Sequence, residues 1–191
     1  ILGNRMGSSS LYEPNKTAFK IHNIKEKDYS NFNVTKTIEV HCTTLDNALK
    51  EIEVNNLDYL KIDTQGSEYE ILRGMTDFHP LLIRIEVHVF SMYKNVPSWT
   101  DILGLLNQKN YIACDWKTIG SHKTKIPAEM DMIFIPNYKN SKGKELIENN
   151  QEKFISLMLI FGQINLLKII GEELKLDIKI SLEKYEDRTF F

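Results

Sequence analysis

Residues 57–90 carry the pattern that most restricts what this chain can fold into. A short apolar run, LDYLKID, ends on Asp63, and Thr64-Gln65-Gly66 follows as a tight turn. Ser67-Glu68-Tyr69-Glu70 then has the spacing of a capping box, in which the Ser67 hydroxyl and the Glu70 carboxylate satisfy helix-end amides reciprocally. The helix carries Ile71, Leu72 and Met75 inward and ends near Gly74. Residues 81–90, LLIRIEVHVF, form the next strand, where Leu81, Ile83, Ile85, Val87 and Val89 alternate with Arg84, Glu86 and His88. Two strands joined through a helix are expected to lie side by side, with the polar groups on one face.

The same rhythm continues on either side. Residues 36–42 (KTIEVHC) have strand composition, and a threonine cap at 43–44 starts a helix carrying Leu45, Ala48, Leu49 and Ile52. Ser98 starts another helix, and residues 111–116 and 132–135 give two short strands. This order predicts an α/β fold: a mainly parallel sheet with helices on both faces, its final pair of strands antiparallel at the edge. Residues 144–174 read as one helix whose stretch 154–170 is very apolar. Gly162, Gln163, Asn165 and Lys168 interrupt it, so it does not span a membrane. It is expected to pack on the sheet domain and on a partner surface, which leaves room for a homo-oligomer formed through this helix. The division is therefore a domain over residues 1–137 and a helical C-terminal extension over 138–191.

Composition bounds the function. With 191 residues, 42% apolar and 26% charged, the chain is an ordinary soluble domain with an appendage. A net charge of −2 from 24 basic and 26 acidic residues leaves no footprint for nucleic acid. The two cysteines, Cys42 and Cys114, lack zinc spacing and read as buried free thiols of a cytoplasmic protein. The chain opens on Ile1 with no secretion signal, and a further N-terminal segment is expected upstream.

In open sheets, ligands bind beyond the carboxyl ends of the strands, which brings forward Asp63, Glu86 and His88. Each also has an ordinary explanation: Asp63 can cap its turn, Glu86 can pair with Arg84, and His88 can be a hydrogen-bonded core histidine. Gly66 is required by backbone geometry either way. Ser8 to Ser10 read as a solvated loop, and Tyr93 and Trp99 as cover for the core edge more readily than as a sugar platform. Asp63, Glu86 and His88 are chemically able to hold a metal, but their spacing singles none out and no metal is assigned.

The run LDYLKIDTQGSEYEILRGM over residues 57–75 resembles the most characteristic stretch of the FkbM methyltransferases. Thr44-Leu45-Asp46 before it, and Ile85-Glu86-Val87 with Met92-Tyr93-Lys94 after it, sit where that family carries similar groups. The resemblance implies a Rossmann-like class I methyltransferase fold, S-adenosylmethionine as donor, and a hydroxyl acceptor on a sugar, polysaccharide or secondary metabolite. It further implies that Asp63, Thr64, Gln65 and Gly66 contact the cofactor, and that Asp63 and Glu86 or His88 serve catalysis. None of the nine glycines forms a glycine-rich strand-to-helix turn, so the first strands are expected to be missing and the chain alone to be inactive. Two rivals stand beside this reading: a non-catalytic methyltransferase-like module for assembly in glycan modification, and a nucleotide-sugar-binding enzyme.

Overall fold

A computed structural model describes residues 1–3, 7, 9–119, 125 and 127–178. Ser8 and the expected extension beyond residue 178 lie outside them. The first segment forms a two-stranded antiparallel ribbon, β1 (Leu2–Gly3) with β2 (Val34–Lys36). Helix α1 (Leu45–Glu51) starts at Thr44, whose hydroxyl accepts from the Asn47 amide. The principal sheet is built from β3 (Tyr59–Ile62), β4 (Leu82–His88), β5 (Tyr111–Thr118) and β6 (Glu129–Pro136), in the order β3-β4-β6-β5. Helix α2 (Glu68–Arg73) crosses from β3 to β4, and α3 (Trp99–Gln108) leads from β4 to β5.

Only β3 and β4 are parallel; β6 runs antiparallel to both β4 and β5. The sheet is thus mixed rather than mainly parallel. The reason lies in the return from β5 to β6: residues 119–128 are too few for the crossover that parallel pairing needs, so the chain comes back antiparallel, and it enters between β4 and β5. A second difference concerns residues 37–42, which are not a strand. Ile38 and Val40 are exposed, because a period-2 sequence becomes a strand only where a neighbour supplies its hydrogen bonds. Cys42 is consequently exposed and Cys114 half-buried, both as free thiols.

Ile83, Ile85 and Val87 turn to one face of the sheet, where Leu72, Met75, Ile102 and Leu106 cover them. The opposite face is divided. Toward one end, Leu81 and Ile135 are buried by Ile147, Phe154, Met158 and Leu167. These belong to α4 (Ser141–Asn149), α5 (Gln151–Ile160) and α6 (Ile164–Leu174). The single helix expected over 144–174 is therefore three, broken at Asn150 and at Gly162, whose φ of 70° is left-handed. No helix among the described residues is long and apolar enough to cross a membrane. Toward the other end, Phe19, Met92 and Tyr93 form a third cluster with Tyr29 and Phe32. Main-chain bonds from Asn15 to Met92 (2.7 Å) and from Lys94 to Glu13 (2.9 Å) lay the N-terminal segment against the loop after β4.

Candidate functional site

Asp63 directly follows β3, and Glu86 and His88 stand in the last three positions of β4. Parallel pairing sets Ile62 beside Ile85, so these carboxyl ends lie together. Gln65 connects them. Its side-chain amide donates to Glu86 Oε1 at 3.2 Å and to Asp63 Oδ1 at 3.4 Å, and its amide oxygen accepts from the Tyr93 hydroxyl at 2.8 Å. The backbone needed for this reach is unusual, with φ of 59° at Gln65 and 115° at Gly66. A Cβ on Gly66 would lie 3.1 Å from both Tyr12 and Val96.

The turn is held from within by Glu68, and not by the capping box expected at Ser67, whose side chain makes no capping bond. The Glu68 carboxylate accepts from the amides of Thr64 (3.0 Å) and Gly66 (2.9 Å) and from the Thr64 hydroxyl (3.1 Å). Sitting on the first helical residue, it reaches back to donors that precede the helix, whereas the expected box would have turned Glu70 to the Ser67 amide. Ser10, expected in a solvated loop, is buried and donates to the Gln65 carbonyl at 2.6 Å. Tyr93 is buried as expected, while its hydroxyl is spent on Gln65. Beside Thr64 opens a cavity of about 510 Å³ with Leu2, Ile38, Val40, Leu45 and Glu70 in its wall.

The antiparallel entry of β6 adds what the sequence did not single out. Its register sets His88 opposite Glu129 and Glu86 opposite Asp131. His88 Nε2 lies 3.5 Å from Glu129 Oε2 and 3.7 Å from Glu86 Oε1. His22 closes the cluster: its Nε2 sits 2.6 Å from the Phe90 carbonyl, which can only accept, so Nδ1 is turned to Glu129 Oε2 at 3.7 Å. Arg84 pairs with Asp131 instead of Glu86. The one available signal was the alternation of Glu129 and Asp131 with Met130 and Met132, which matches the polar face of β4.

Electrostatics follow from this crowding. Burial, then the nearby Asp63 charge, push the Glu86 carboxyl up to about 7, with His88 opposing and Glu129 and Asp131 adding to the rise. For His88, burial disfavours the charged form, yet Glu129 and Glu86 outweigh it and raise the imidazole above its usual value. The hydrogen bond from Lys61 (2.9 Å) holds the Asp63 carboxyl below the ordinary range against burial. A carboxylate set of this kind attracts a cation and offers acceptors to a hydroxyl.

The profile of the methyltransferase FkbM domain matches residues 2–113, a segment that contains Asp63 to Gly66, Glu86 and His88. That match covers more than half of the sequence, and the chain belongs to the FkbM methyltransferase family. No curated protein and no solved structure matches it.

Proposed function

We propose that this domain transfers a methyl group from S-adenosylmethionine to a hydroxyl oxygen, with a sugar, polysaccharide or secondary metabolite as acceptor. The observation that carries the reading is the meeting of Asp63, Gln65, Glu86 and His88 at the carboxyl ends of the two parallel strands, inside the family match. The donor set fits the cationic end of this cofactor, since carboxylates surround the place and, among the described residues, Lys61 alone of the basic side chains is bonded to Asp63. Beside the cavity, Glu70 Oε2 is buried with no hydrogen-bond partner among the described residues, an acceptor suited to ligand hydroxyls.

Asp63 and Gln65 would hold the methionine end, and Thr64 and Gly66 would keep the turn in the shape this requires. The chemistry that the cofactor supplies when bound is an electrophilic methyl carbon on a sulfonium centre. The residues' own task is positioning, with Glu86 and His88 meeting the acceptor hydroxyl and favouring the loss of its proton. In the full-length protein, Asp63→Asn is expected to lower methyl transfer about tenfold or more while leaving the melting temperature nearly unchanged. Turnover and melting measured on the same preparation decide this: retained turnover, or turnover lost only in step with unfolding, removes Asp63 from the site. Calorimetric titration of the full-length protein with S-adenosylmethionine beside a nucleotide sugar separates the methyl-transfer reading from the nucleotide-sugar one.

A further inference from the structure

We infer that Glu86, His88 and Glu129 form a binding site for one divalent transition-metal ion. The three offer one nitrogen and two carboxylate oxygens from two adjacent strands, all within 4.8 Å of one another. Donors about 2.1 Å from a tetrahedral ion lie roughly 3.4 Å apart. The separations from His88 Nε2, 3.5 Å to Glu129 and 3.7 Å to Glu86, are close to that spacing before any ion draws them in.

The second observation is His88 itself. Its side chain is 7% exposed, and Nε2, the atom aimed between the two carboxylates, is buried with no hydrogen-bond partner among the described residues. At 3.5 and 3.7 Å the two carboxylates leave this buried nitrogen only loosely satisfied, and a coordinated cation is a partner that meets it and both glutamates together. The cluster is also held from outside. Gln65 donates to Glu86 Oε1 (3.2 Å), and His22, fixed by the Phe90 carbonyl, stands 3.7 Å from Glu129. Such outer contacts orient ligands toward a metal.

The donor set names the class of ion. Calcium and magnesium prefer all-oxygen shells, whereas one imidazole with two carboxylates suits manganese, iron(II), cobalt or zinc. With three protein ligands the ion keeps open positions, as catalytic sites do, and would take the acceptor hydroxyl there, sharing with Glu86 the task of favouring its deprotonated form. This last role rests on the methyl-transfer reading; the binding of the ion does not.

The test uses the whole chain, treated with chelator and freed of histidine tags, then titrated with Mn²⁺ followed by electron paramagnetic resonance, with Zn²⁺ by calorimetry, and with Ca²⁺ as the oxygen-preferring control. One ion per chain is expected with Kd about 10 μM or tighter for Mn²⁺ or Zn²⁺. Glu129→Gln and His88→Ala should each weaken it about tenfold or more, while Glu148→Gln, far away on α4, changes it little. Melting curves accompany every variant, and the near-isosteric Glu129→Gln carries the test should His88→Ala fail to fold. No saturable binding below about 1 mM, or binding that survives both substitutions, overturns the inference. Ion binding by this chain with no methyl transfer by the full-length protein would keep this site and discard the methyl-transfer reading; methyl transfer by the full-length protein, sensitive to Asp63→Asn, without ion binding would do the reverse.

Discussion

Two buried carboxylates fasten the two ends of α2. Glu68 gathers the turn before it, and Asp46, reaching over from α1, accepts from the Thr76 amide and hydroxyl, both at 2.7 Å, and from the Asp77 amide at 2.9 Å. Burial alone would raise the Asp46 carboxyl, but the hydrogen bonds from Thr76 and Asp77 outweigh it and leave its pKa below the ordinary value. A depressed folded-state pKa stabilises the fold above the unfolded value of about 3.9, and that contribution is lost as pH falls through the folded value. Asp46→Ala should therefore cost about 1–3 kcal/mol near neutrality, with the difference from wild type shrinking below about pH 4. Urea melts at several pH values measure it, and a pH-independent difference would remove the carboxylate charge from the account. At this scale the sequence placed Asp63, Glu86 and His88 at strand ends and Gly66 in the turn between, and the structure brings them together there. It did not give the partners of Asp46, Ser10, His22 and Glu129, which lie on other elements and are set by tertiary contacts, nor the backward reach of Glu68 into its own turn.

Elements were legible in proportion to how local their causes are. Ser98 and Asp101 form a full capping box because both partners lie within one turn. Residues 37–42 carry strand composition without a sheet edge to join, and helix-like residues 144–174 are cut where Asn150 and Gly162 leave helical geometry. The breaks let α5 and α6 fold back on each other, so that Phe154, Met158, Leu167 and Ile170 share one core with Leu81 and Ile135. Lys153 with Asp58 (3.0 Å) and Gln163 with Asp115 (2.7 Å) tie the same helices to β3 and β5. Phe154→Ala should cost about 3–5 kcal/mol. A chain ended at Asn140 uncovers Leu81 and Ile135 and should bind a hydrophobic dye, aggregate or lose cooperative melting. If that shorter chain stays soluble and melts in one sharp step, these helices are an accessory and not part of the core.

For the whole molecule the strand order decides what meets at the site. Alternating strands and helices announced an α/β protein, but nothing in the sequence placed β6 between β4 and β5, and with it Glu129 beside His88. The cofactor question also belongs at this scale, because binding sums contacts from many elements. No glycine-rich turn occurs in the sequence, and the Thr64 and Gly66 amides are already taken by Glu68. The 191-residue chain should then bind S-adenosylmethionine more weakly than about 100 μM. Low-micromolar binding lost in Glu70→Gln would instead give the principal role to the cavity beside Thr64. The position of β6 bears finally on how the protein is made. A ribosome delivers β5 before β6, at about 5–20 residues per second, yet among the described residues β6 is the sole sheet neighbour of β5 and the second neighbour of β4. Until the chain has emerged through Pro136, two strands wait with open edges, and Leu81 waits longer still for Phe154 and Leu167. The sheet thus closes from its middle and late in synthesis, and in that interval the nascent chain is most open to non-native edge pairing.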